Sequence, residues 1–98
     1  MIQKRTVVDL RQVSENGIIM IRFRKELVEN GNVLSFGYHR TALEPGGDLD
    51  KQMAVVNAHL VAMECKPVAD YASVRRIVQA EHTPGVIAAW KAEQEKAK

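Results

Sequence analysis

The tripeptide Glu-Asn-Gly occurs twice, as Glu15-Asn16-Gly17 and Glu29-Asn30-Gly31, fourteen residues apart. No other stretch constrains the fold as strongly. Asn-Gly favours a two-residue type I′ turn, because both residues tolerate the positive φ required at its two central positions. The segments around the two pairs are rich in Ile, Val, Phe and Tyr, which suit a pleated surface. The pattern predicts a three-stranded antiparallel meander of about residues 6–41, with strands Thr6–Ser14, Ile18–Val28 and Val33–Arg40.

Two turn centres also predict a register. With Asn30-Gly31 as one centre, Glu29 faces Asn32, Leu27 faces Leu34, Lys25 faces Phe36 and Phe23 faces Tyr38. With Asn16-Gly17 as the other, Leu10 faces Phe23, Asp9 faces Arg24 and Arg11 faces Arg22. One face then collects Val8, Leu10, Ile19, Ile21, Phe23, Leu27, Leu34, Phe36 and Tyr38. The other collects Arg5, Asp9, Arg11, Arg22, Arg24, Glu26, Ser35 and His39. In this register Arg40 returns to the rim of the apolar side, opposite Ile21. There it would cover a ring, bond loop carbonyls or pair with a partner's carboxylate. Because a strand has period two, a slip of one residue would exchange the faces.

The apolar face needs a cover. After a loop at about 42–49, where Glu44-Pro45-Gly46-Gly47-Asp48 concentrates turn formers, Leu49, Met53, Val56, Leu60 and Met63 recur at helical spacing. They predict a helix over about 50–64, ended by Lys66-Pro67. A second helix is expected over about 68–80, with Tyr71, Val74, Ile77 and Val78 inward, although Tyr71–Val78 also reads as a fourth strand. Thr83-Pro84, an N-cap followed by Pro, starts a third over about 84–95. The expected architecture is therefore α+β. A single small domain of 98 residues carries a meander, one amphipathic covering helix and two shorter C-terminal helices.

Composition excludes several classes of function. With 46% hydrophobic and 27% charged residues the chain is ordinary globular material. Its uninterrupted apolar runs, such as Ile18–Ile21, are far short of a membrane span, and Met1–Arg5 leads into a strand, so neither membrane insertion nor a signal peptide is expected. The single cysteine, Cys65, cannot form an internal disulfide. His39, His59 and His82 do not combine with Cys65 or Met63 into a metal-ligand pattern. Ser14, Ser35 and Ser73 lack a nucleophile's context. The loop carboxylates Glu44, Asp48 and Asp50 read as caps, and the glycine pair Gly46-Gly47 lacks the Lys-Ser/Thr of a phosphate-binding loop. No enzyme, cofactor or metal is expected.

What remains is surface. The candidate partner surface comprises Arg5, Arg11, Arg22, Arg24, His39, Arg40 and Trp90. A net charge of +2 is modest, and on the predicted register no aromatic residue shares the arginine face to stack a base, so nucleic acid is not the expected partner. Trp90, the only tryptophan, lies on a weakly apolar helix and is expected to anchor a neighbouring subunit. A three-stranded sheet leaves two edges, which favours a homo-oligomer or larger assembly.

Tyr38-His39-Arg40-Thr41-x-Leu43-x-Pro45-Gly46 and Thr83-Pro84-x-Val86-Ile87-Ala88-Ala89-Trp90 together resemble small uncharacterised proteins of tailed-phage structural gene regions. The resemblance implies a non-enzymatic virion component, made in the bacterial cytoplasm, that binds other tail, head or decoration proteins. The alternative is a small inhibitor or regulator that binds a host protein or nucleic acid through the arginine face.

Overall fold

Both Asn-Gly pairs reverse the chain, and the two outer strands run longer than the sequence pattern predicts. The computed structural model describes residues 2–97. Strands β1 (Ile2–Val13), β2 (Ile19–Glu29) and β3 (Asn32–Leu43) form an antiparallel sheet with β2 in the centre. Helices α1 (Leu49–Ala62), α2 (Ala72–Glu81) and α3 (Pro84–Lys96) follow. The fold is α+β, and the segment that could have been a fourth strand is helical.

The two turns are not alike. At Asn30 (φ 51°) and Gly31 (φ 84°) both central residues are left-handed, as a type I′ turn requires. At the first turn only Gly17 is (φ 92°). Gly17 N–H donates to Ser14 O (2.9 Å) and Ser14 N–H to Ile18 O (2.8 Å), which makes a three-residue loop closed by a glycine bulge. The Asn16 side chain accepts from Ile18 N–H at 3.2 Å. Asn-Gly permits either geometry, and packing accompanies the one adopted. A Cβ on Gly17 would stand 2.7 Å from Val86 Cγ1 and 3.1 Å from Pro45 Cγ, and Gly17 O lies 2.7 Å from His82 Nε2.

This loop, and a bulge in each edge strand, change the expected register. From Ile2 to Val8, β1 pairs so that Val8 faces Phe23; the ladder then skips Asp9, and Leu10 faces Arg22 and Arg11 faces Ile21. In β3, Val33 faces Val28 but Ser35 faces Leu27, leaving Leu34 as an extra residue. Beyond it Phe36 faces Glu26, Tyr38 faces Arg24, His39 faces Phe23 and Arg40 faces Arg22. Residues directly opposite share a face. Leu10, Phe36, Tyr38 and Arg40 therefore stand with Arg5, Arg22 and Arg24, whereas His39 and Arg11 stand with Ile21 and Phe23. The predicted sorting fails at these six residues, and at Ser35, which faces Leu27 on the covered side, because each bulge inserts one residue into a period of two.

Helices cover one face. Ile19, Ile21 and Phe23 are essentially inaccessible, and Met53, Val56 and Leu60 of α1 and Val74 of α2 close over them. Asp48 caps α1 by accepting from Lys51 N–H at 3.1 Å. Met63, expected in the stripe, is the C-cap residue and is exposed. Helix α2 starts four residues later than predicted. Pro67–Tyr71 is spent on a link in which Val68 N–H donates to Asn57 Oδ1 (2.8 Å), Val68 buries its side chain, and Asp70 Oδ1 accepts from Ala72 N–H (3.0 Å). Thr83 caps α3 as expected.

The layers differ in length. Strands of 12 residues reach about 40 Å, whereas the 14-residue α1 reaches about 21 Å. The molecule is correspondingly elongated, 53 × 24 × 18 Å. Helices roof the end near Ile19 and Leu43, and nothing among the described residues roofs the opposite face at any point along it.

Candidate binding face of the sheet

The uncovered face is built around two carboxylates. Glu26, in the central strand, is 5% exposed although it lies on the face without helices. Arg5 from β1 reaches it with Nε and Nη2, both 2.7 Å from Oε1. Arg24 Nε lies 3.2 Å from Oε2, at an angle that makes an ion pair but no hydrogen bond, so that buried N–H has no acceptor. The bulge at Asp9 turns its carboxylate toward the same side. Arg22 Nε donates to Asp9 Oδ2 at 2.7 Å, and Arg24 Nη1 stands 3.8 Å from Oδ1.

The vertical order of these charges is the main electrostatic feature. The side chains of Glu26 and Asp9 are 2% and 16% exposed, while those of Arg5, Arg22 and Arg24 are 55%, 29% and 40% exposed. The anions lie beneath and fix the guanidiniums, and the cations form the outer surface. Arg40, opposite Arg22, adds a fourth guanidinium to the same side.

Exposed apolar groups surround this cluster. Phe36 is 61% exposed and meets Tyr38 edge to face, with ring centres 5.7 Å apart. The Arg22 guanidinium lies 4.4 Å over the Tyr38 ring, a cation–π contact that fixes ring and cation together. Beyond Arg22, a shallow hollow of about 310 Å³ opens between Leu10, Met20, Arg40 and Ala42. Leu10, Met20 and Val33 are all exposed on this side.

The structure thus gathers Arg5, Arg22, Arg24 and Arg40 into one surface and separates the other candidates from it. Arg11 stands on the helix side of the edge strand β1, opposite Ile21. His39 lies on the covered side, its ring centre 6.4 Å from that of Phe23 and 6.1 Å from that of His59. Burial, with Lys25 and His59 nearby, holds its imidazole below the ordinary histidine range. Trp90 is half-buried on α3, where it lines a hollow against the Val13–Gly17 turn.

Sequence reasoning missed Phe36 and Tyr38, which it assigned to the core. The disparity between a long meander and a short covering helix was the available signal, since one helix of this length cannot cover that many apolar strand positions. Away from this face, Asp50 at the start of α1 accepts from Tyr71 Oη at 3.0 Å and pairs with Arg75 of α2. This is an exposed helix-to-helix staple. Among the described residues no three His, Cys, Asp or Glu side chains converge as metal ligands, and no helix is long and apolar enough to cross a membrane. Protein-family models, curated proteins and solved structures yield no match to the chain.

Proposed function

We propose that this chain is a non-enzymatic binding subunit that engages its partners through the open face of its sheet. The observation that carries this reading is the uncovered side of β1–β3, where Phe36, Tyr38, Met20 and Leu10 are exposed around arginines held in place from below. Aromatic, Met and Arg side chains enriched together on one exposed patch are the composition of an interface core, and large exposed apolar patches mark interaction surfaces. The chain's resemblance to proteins of tailed-phage structural gene regions favours a virion as the assembly, with other tail, head or decoration proteins and further copies of the chain as neighbours. The two unpaired sheet edges, β1 and β3, support the same reading.

Quantitative mass spectrometry of purified particles, combined with oxidative footprinting, tests the proposal. The chain should be present in a fixed stoichiometry. Met20, exposed in the free protein and so expected to oxidise to its sulfoxide there, should be protected in the particle together with Phe36 and Tyr38. Absence from particles would remove the virion role and favour a regulator. Equal labelling of these residues in free and assembled protein would overturn the open face as the binding surface.

A further inference from the structure

The geometry points to single-stranded nucleic acid as a ligand of the open face; the inference rests on the reading of that face as the binding surface. Binding a single strand without sequence preference takes a cationic track along the backbone and aromatic rings on which bases stack. The bulge at Leu34 supplies the second requirement by bringing Phe36 and Tyr38 to the arginine side. Phe36 presents the more open ring, and one side of Tyr38 is already taken by Arg22. The hollow between Leu10, Met20 and Arg40 offers a second, apolar seat on the far side of Arg22. Stacking positions and cations therefore alternate along the sheet.

Charge decides between a polyanion and an electrically neutral partner. Two carboxylates face four guanidiniums, and the carboxylates are nearly covered while the guanidiniums are not. A ligand approaching from solvent meets the cations first. Each paired guanidinium spends part of its donor set on a carboxylate beneath and keeps the remaining N–H groups for an acceptor above. Phosphate is a fitting acceptor, and among the described residues of the face no exposed carboxylate stands to repel it. An acidic peptide shares the charge but carries no aromatic base on every repeating unit to stack on Phe36. A duplex keeps its bases stacked away from the rings.

Fluorescence anisotropy with the full chain and labelled oligonucleotides of about ten nucleotides tests this. Oligo-dT and oligo-U should bind, at least about tenfold tighter than a duplex of equal length, with an affinity that falls as salt rises. Phe36→Leu should weaken binding by about tenfold and Phe36→Tyr should restore it, since only the π-face differs in kind. Arg40→Ala should weaken binding and flatten the salt dependence. Both positions are exposed, and unchanged circular dichroism confirms folding. Equal affinity for duplex, for poly-glutamate, or for single strands with Phe36→Leu would overturn the inference. If no oligonucleotide binds while Met20 and Phe36 are still protected in particles, this inference falls and the proposed function stands. If neither occurs, both fall.

Discussion

Gly17→Ala isolates the packing of α3 on the first turn, because the second turn supplies an internal control. Although their turns differ, Gly17 and Gly31 have nearly the same φ, 92° and 84°. An alanine held in a left-handed conformation costs about 1–2 kcal/mol at either site. Their surroundings differ. A Cβ at Gly31 meets nothing within 4 Å, whereas one at Gly17 meets Val86 Cγ1 at 2.7 Å and Pro45 Cγ at 3.1 Å. The second contact set should add about 1–3 kcal/mol, as overpacking does. Gly31→Ala should therefore cost about 1–2 kcal/mol and Gly17→Ala about 2–5 kcal/mol. Val86→Ala removes the obstructing methyl groups, so the double variant Gly17→Ala/Val86→Ala should recover most of that extra cost as a favourable coupling of about 1–3 kcal/mol. Urea unfolding followed by far-ultraviolet circular dichroism measures each term, and Trp90 emission reports α3 locally. Equal costs for the two single variants, within about 0.5 kcal/mol, would refute the packing of Val86 against the turn.

Phe23→Ala empties the centre of the core and should cost about 3–5 kcal/mol in the same urea assay. Glu26→Gln removes the buried anion beneath Arg5 and Arg24; both guanidiniums can be hydrated, so the cost should stay near 1–2 kcal/mol rather than the larger penalty of a stranded buried charge. Hydrogen bonds from Arg75 and Tyr71 hold the Asp50 carboxyl below its ordinary 3.8. Its contribution is thus present above that value and lost as pH falls through the lower folded pKa, so Asp50→Asn should lower Tm slightly at neutral pH and make its acid dependence shallower. His39 has the opposite consequence. Its folded pKa lies below the ordinary 6.5, so the fold loses stability as pH drops through that value, and His39→Gln should reduce the loss of Tm between neutral and mildly acidic pH.

Much of the fold could be read from the residues, and the part that could not has one physical origin. The meander follows from the two Asn-Gly pairs, and α1 from the Leu49–Met53–Val56–Leu60 stripe capped by Asp48. Thr83-Pro84 marks the start of α3. These signals are local: a turn residue's allowed φ, a cap's oxygen, an apolar period. Register is not local. Leu34 and Asp9 look like ordinary strand residues, and whether the partner strand skips one of them depends on how the whole ladder twists and closes. The arginine surface was therefore recognised at Arg5, Arg22 and Arg24, which precede or escape the slips. It was misjudged at Arg40, His39 and Arg11, which follow them. The aromatic half of the face depended on the bulge at Leu34 and was invisible for that reason.

The two bulges also set how the chain can change in length. Val28 faces Val33 and Leu27 faces Ser35, with Leu34 spare between them. Deleting Leu34 would close the ladder and leave every later residue with its present neighbour, so a loss or gain of one residue there is absorbed within a single step. Deleting Asp9 would close the other ladder equally well but remove the acceptor that fixes Arg22. Descendants of this sequence can therefore drift in length at one edge strand and not at the other. Relatives that differ by one residue near position 34 should be aligned by strand pairing rather than by column, because a conventional gap placed a few positions away would match Tyr38 with His39 and exchange a solvent-facing ring for a roofed one.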